Sequence, residues 1–249
     1  IMKLTISRKK FVKNAIFIHI QKTAGTSDQN IALHHYGNDQ VCSHGDYLKL
    51  DLEACKKFQF ISGHFGIKFA EPLLSDRYLF TFLRDPTDRI ISLYKFLSRQ
   101  PADQSVLAAA ASSEDLKGFL MRANELEFAN RLWNNQAWQL HSGWVSAAVL
   151  PDLKRDVETD PRDIDPVAMT EGARQNLRRF DRIGFVESFD RDIRKIFKDL
   201  GAPHIKVPKS NSSASSFEIA DKETLSLIDE ITELDRLVFE DAKKLFLAK

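Results

Sequence analysis

Two short strings and one histidine hold the side chains best suited to chemistry. The first string is Lys22-Thr-Ala-Gly-Thr-Ser27. Lys22 supplies a full positive charge, Thr23, Thr26 and Ser27 supply hydroxyls, and Gly25, next to Ala24, lets the main chain come close to a ligand. Where such a string joins a strand to a helix, unpaired N–H groups face outward and the helix dipole adds a partial positive charge. Together these make a cradle for a phosphate. The same composition also describes a polar turn with a serine or threonine N-cap and a surface lysine.

The second string is Arg84-Asp-Pro-Thr-Asp-Arg89-Ile-Ile-Ser92-Leu-Tyr94. Arg84 falls where an apolar strand ends, and Ser92 falls on the helix that follows, one turn after Arg89 and on its face. A guanidinium and a hydroxyl converging from strand end and helix suit a second phosphate group. The competing readings are an ion pair of Arg84 with Asp85 or Asp88, and a Ser92 bonded to its own helix backbone. His64 follows Ser62-Gly63. Imidazole titrates near neutrality, so histidine is the natural general base at ordinary pH, although an isolated histidine is as readily structural. His19 is expected to be packed inside a strand.

The elements around these residues alternate. Asn14–Ile20, Phe58–Ser62, Tyr78–Leu83 and Arg182–Val186 are short, apolar and rich in β-branched or aromatic residues, and so predict buried strands. Helices are predicted after the Lys22 loop through Ile31 and Leu33, after Pro86 through Leu97, and from Phe189 to Leu200 before Gly201. Leu225, Ile228, Ile231, Leu234 and Val238 share one helical stripe and predict a single terminal helix facing the core. Residues 100–166 are predicted to form a helical lid or insertion. The pattern is that of a three-layer α/β fold with a central parallel sheet, one domain over residues 1–249.

Composition narrows the function. The chain of 249 residues has 36 Lys and Arg against 35 Asp and Glu, a formal charge of +1, which argues against a bulk electrostatic nucleic-acid binder. Two cysteines are too few for a disulfide scaffold and are expected as unlinked thiols. The sequence contains no CxxC or HExxH string and no apolar run near the ~20 residues that span a bilayer, so neither a metal nor a membrane span is expected, and a cytoplasmic location is the simplest inference. Lys22 precedes Gly25, whereas the usual P-loop places its lysine after the glycines, which weakens a reading as an ATP or GTP hydrolase.

Together the strings resemble a known family. His19-Ile-Gln-Lys-Thr-Ala-Gly-Thr-Ser27 is similar to the 5′-phosphosulfate loop of sulfotransferases related to heparan sulfate 2-O-sulfotransferase and its bacterial relatives. Arg84-Asp-Pro-x-x-Arg-x-x-Ser-x-Tyr94 resembles their 3′-phosphate motif, and Ser62-Gly-His-Phe65 and Ile183-Gly-Phe-Val-Glu-Ser-Phe189 extend the likeness. Gln21 departs from it, since relatives usually carry proline there. The resemblance implies a sheet with a P-loop-like phosphate site, 3′-phosphoadenosine 5′-phosphosulfate (PAPS) as donor and 3′-phosphoadenosine 5′-phosphate (PAP) as product, with no metal. It implies that Lys22, Thr23, Ala24, Gly25, Thr26 and Ser27 bind the phosphosulfate, with Lys22 also neutralising the leaving phosphate. Arg84 and Ser92 would hold the 3′-phosphate, Lys209, Asn211 and Ser213 would close over the nucleotide, and His64 would be the base.

The segment Asn134-Asn135-Gln136 and Leu140–Gly143 resembles one that lines the acceptor pocket. Its neighbours Trp133, Trp138 and Trp144 are read chiefly as packing. Arg174, Arg178 and Arg179, with Lys154 and Arg155, read as a mixed-charge surface rather than a basic groove. The partner implied is a hydroxyl-bearing glycan or small metabolite, and neither its identity nor the oligomeric state is written in the sequence. The alternatives are a P-loop-type kinase using ATP and magnesium, and a PAP-binding module without turnover.

Overall fold

The wholly buried string Ala15–Ile18 forms strand β1 at the centre of the sheet. The computed structural model describes residues 12–43, 45–143, 160–207 and 221–247. After β1 come helix α1 (Gly25–Tyr36), β2 (Val41–Cys42), α2 (Leu52–Lys56), β3 (Phe60–Gly63), α3 (Ile67–Ala70), β4 (Tyr78–Leu83) and α4 (Pro86–Leu97). Four helices follow, α5 (Val106–Ser113), α6 (Leu116–Met121), α7 (Leu126–Leu132) and α8 (Asn135–His141). The described part ends with α9 (Pro166–Leu177), β5 (Arg182–Phe185), α10 (Phe189–Asp199), α11 (Lys222–Ile231) and α12 (Glu233–Phe246).

The five strands are parallel in the order β2-β3-β1-β4-β5. Alternation sets the two faces. Ile16, Ile18, Ile61, Leu79, Leu83 and Ile183 pack on one side against residues of α3, α8, α9 and α12, such as Phe69, Trp138, Met169 and Val238. Ala15, Phe17, Phe60, Phe80 and Phe82 pack on the other against α1 and α10, through Ile31, Ala32, Ile193 and Phe197. Phe17 and Phe80 stack at 4.8 Å between centroids, a cross-strand aromatic contact that adds to the area buried. A third cluster joins Ile90, Leu93 and Leu97 of α4 to α5, α6, α7 and α11.

The structure departs from the predicted elements in three places. Strand β2 is two residues long, too short to leave a pattern. The single terminal helix is two, because Thr232 (φ −123°) breaks it and turns its Oγ1 back to the Ile228 carbonyl at 2.6 Å. Its stripe therefore divides, Ile228 and Ile231 joining the third cluster while Leu234 and Val238 reach the sheet. In the region expected to be a lid, every residue of α8 from Asn135 to Leu140 is buried, so this helix belongs to the core. Cys42 in β2 and Cys55 in α2 are both buried and free, near enough for each thiol to shift the other's ionisation, a proximity that sequence alone cannot reveal.

Candidate active site

Because β1 lies between β3 and β4, the loops leaving those three strands are neighbours at the carboxyl edge of the sheet. The chain runs outward on both sides of β1, and it is at such a switch point that open parallel sheets bind ligands. The His19 N–H donates to the Gly63 carbonyl at 2.9 Å, tying the first two loops together.

The loop after β1 turns sharply. Lys22 (φ 68°) and Ala24 (φ 72°) both occupy the left-handed region, which costs a non-glycine residue about 1–2 kcal/mol. Between them Thr23 is fully buried and donates Oγ1 to the Ile20 carbonyl at 2.7 Å. Its hydroxyl therefore closes the turn. Ala24 is the residue before α1, and Gly25, Thr26 and Ser27 make that helix's first turn. A Cβ on Gly25 would collide with the His19 ring. The room that Gly25 makes is thus taken by His19 rather than by an approaching ligand. His19 lies just past β1, not within it, and its ring stacks on Phe17 at 5.4 Å and tilts against His64 at 4.3 Å.

The loop after β4 meets the loop after β1. Arg84 Nη1 donates to the Lys22 carbonyl at 3.4 Å. Among the described residues Arg84 forms no ion pair, and Asp85 instead caps α4, accepting from Thr87 N at 2.9 Å and Asp88 N at 3.2 Å. The Asp85 N–H in turn donates to Glu187 Oε1 at 2.7 Å, so Glu187, just past β5, holds the Arg84–Asp85 turn in place. Ser92 is half-buried on α4. Arg89 does not share its exposure, since its side chain is 0% exposed and donates to the Arg131 carbonyl at 3.1 and 3.2 Å. The arginine placed on the face of Ser92 by helical spacing is structural.

Two neighbours were not identified from sequence. Phe96, 45% exposed, lies one turn past Ser92, and Lys22 Nζ sits 4.0 Å from its ring centroid, a cation–π contact. Arg99 follows at the end of α4. Burial lowers the Lys22 pKa below its ordinary 10.5, and the positive charges of Arg84 and Arg99 lower it further. Three cations that disfavour one another's charge are an arrangement an anion relieves. The i, i+4 spacing of Ser92 and Phe96 on α4 was the available signal for Phe96, and Arg99 lies two residues past that helix.

His64, half-buried, leaves β3 with its Nδ1 2.6 Å from the His19 carbonyl oxygen. A carbonyl only accepts, so Nδ1 carries the proton and the lone pair of the neutral ring is on Nε2. Trp133 donates Nε1 to the Ala123 carbonyl at 3.0 Å and Trp138 is buried in the core, both as packing residues. Arg174 pairs with Glu171 and Asp241, and Arg179 with Glu71, as a mixed-charge surface does. Lys209, Asn211 and Ser213, with Trp144, Lys154 and Arg155, lie outside the described residues.

Among the described residues no helix is long and apolar enough to cross a membrane. No curated protein matches the chain. A model of the sulfotransferase family matches residues 8–246. That span takes in all five strands and each of the loops at the sheet edge, and on this match the chain belongs to the sulfotransferase family, whose chemistry is the transfer of a sulfuryl group.

Proposed function

We propose that the protein transfers the sulfuryl group of PAPS to an acceptor hydroxyl. The observation that carries this reading is the meeting of Arg84 with the Lys22 loop at the switch point, with Arg99 close enough to act on Lys22. When bound, PAPS supplies a sulfuryl group on a 5′-phosphate leaving group and is released as PAP. Lys22 and the N–H groups from Thr23 to Ser27 hold the phosphosulfate and balance charge growing on the leaving phosphate. Arg84 and Ser92 hold the 3′-phosphate, and Lys209, Asn211 and Ser213 close over the nucleotide. His64 Nε2 takes the proton of the acceptor hydroxyl as it attacks. The acceptor is a hydroxyl-bearing glycan or small metabolite, and no residue needs a metal ion for its part.

A thermal-shift comparison of PAP with ATP plus magnesium, followed by transfer from radiolabelled PAPS to a panel of carbohydrates and small hydroxyl compounds, tests this. Metal-independent stabilisation by PAP and a labelled product are expected, because a ligand bound only by the folded state raises its stability by mass action. Stabilisation by ATP and magnesium but not PAP would transfer the case to a kinase. PAP binding with no product on any acceptor would leave a silent binding module.

A further inference from the structure

Helix α8 touches both sides of the site through two glutamines one turn apart. Gln136 is 1% exposed and Gln139 2%. Gln136 Oε1 accepts the Arg84 N–H at 3.0 Å while its Nε2 donates to the Arg84 carbonyl at 2.9 Å. One amide thus satisfies both main-chain groups of one residue and fixes the peptide planes on either side of it. Gln139 Nε2 donates to the carbonyls of His64 at 3.2 Å and Phe65 at 3.4 Å. The helix itself is held at its start. Asn134, in the left-handed region at φ 41°, accepts the Leu234 N–H at 2.9 Å, and Asp235 returns a bond by accepting the Ala137 N–H at 2.8 Å.

Apolar side chains would fill this space without desolvating two amides, so packing alone does not account for the pair. We propose that Gln136 and Gln139 are positioning residues that use one rigid helix to fix the spacing between Arg84 and His64. This rests on the donor role of Arg84 and the base role of His64. It also gives the segment a different task from lining an acceptor pocket, since these two amides face the main chain of the site. A misplacement near 1 Å at a reacting group is enough to cost up to ~100-fold in rate, so holding two loops to one helix has a kinetic value.

The test is to compare Gln136→Met and Gln139→Met in donor affinity and in turnover. Gln136→Met is expected to raise the PAP dissociation constant and the donor KM roughly 10-fold with kcat within about 2-fold, and Gln139→Met to lower kcat roughly 10-fold with PAP affinity kept. If both variants lose both quantities together, or neither moves, the positioning role is wrong. Should a methionine variant fail to fold, Gln136→Leu and Gln139→Leu remove the amide without adding a charge, and the same division is expected. Wild-type protein that neither binds PAP nor consumes PAPS would overturn the donor reading and this one with it. Wild-type activity with undivided variants would overturn this one alone.

Discussion

His64 presents its Nδ1 to the main-chain carbonyl of His19 at 2.6 Å, so the main chain just past β1 also sets the tautomer of the imidazole leaving the neighbouring strand β3. The bond places the basic lone pair on Nε2. Removing the ring removes the proposed base but none of the cations around Lys22. His64→Ala is expected to lower turnover by roughly 100- to 10,000-fold, with PAP affinity unchanged by isothermal titration. Near-full turnover in this variant would show that the proton leaves by another route.

Lys22 is held beside two other cations, and the consequence is a pH dependence of donor binding. Its pKa lies below 10.5 through burial, then Arg84, then Arg99. Only the protonated ammonium attracts a phosphate, so affinity for PAP falls as pH rises through that depressed value. In Arg99→Ala one cause of the depression is gone, and the fall moves to higher pH. Arg99 is exposed, so its direct contribution to affinity is screened, about 2- to 5-fold at low salt and little at high salt. Titrations of PAP binding across pH 7 to 10 at two ionic strengths check both parts. An unshifted profile in Arg99→Ala would separate Arg99 from the site. Lys22→Ala itself is expected to lower turnover by roughly 100- to 1000-fold, the cost of one preorganised charge-stabilising donor.

Gly25 and His19 compete for one volume. A methyl group on Gly25 would meet the imidazole of His19, whose ring is held between Phe17 and His64. Overpacking of this kind costs about 1–3 kcal/mol, and the strain here passes through His19 to the His64 ring. Gly25→Ala is expected to lower the melting temperature and turnover together. Ala24→Gly, next to it, acts the other way, because glycine adopts φ 72° without the penalty that alanine bears. It is expected to leave stability unchanged or raise it by about 0.5–1 kcal/mol. Thermal unfolding of the pair decides. A Gly25→Ala protein as stable and active as the parent would mean that the His19 ring moves freely.

The strands of this fold were legible because each is apolar on both faces. Tyr78–Leu83 reads as it stands, and the other predicted strands lie within two residues of the observed ends. The edge strand Val41–Cys42 was not, since two residues carry no period. In the site, local strings announced Lys22 and Arg84 because a loop–helix junction and a strand end leave marks in adjacent residues. Thr23 and Arg89 show the limit of that signal. Both stand in motif positions, yet tertiary contacts turn the Thr23 hydroxyl to Ile20 and bury Arg89 against the Arg131 carbonyl. Gln136 and Gln139 left no mark beyond their spacing, because what they bind is the main chain of residues 52 and 75 positions away.

Asp28 stands one turn into α1, directly after the Lys22 loop, fully buried and, among the described residues, with neither carboxylate oxygen hydrogen-bonded. An acidic residue in the first helical turn gains about 0.3–1 kcal/mol from the dipole at a surface, but burial without a partner costs more than that. Burial accordingly holds its pKa well above 3.8. The folded state then binds the proton more tightly than the unfolded chain, so stability is fullest below about pH 4 and declines as pH rises and the carboxyl is forced to ionise. Asp235, pushed up to about 6 by burial against the opposing charge of Arg89, adds a second decline of the same sign up to that pH. Asp28→Leu is expected to raise stability at pH 7 by roughly 1–3 kcal/mol, with a smaller gain near pH 4. In that variant only the Asp235 part of the decline remains, ending near pH 6. Melting temperatures from pH 4 to 8 measure this directly. A variant less stable than the parent at pH 7, with the parent's pH slope intact, would mean that the carboxylate is charged and held by a partner in the folded protein.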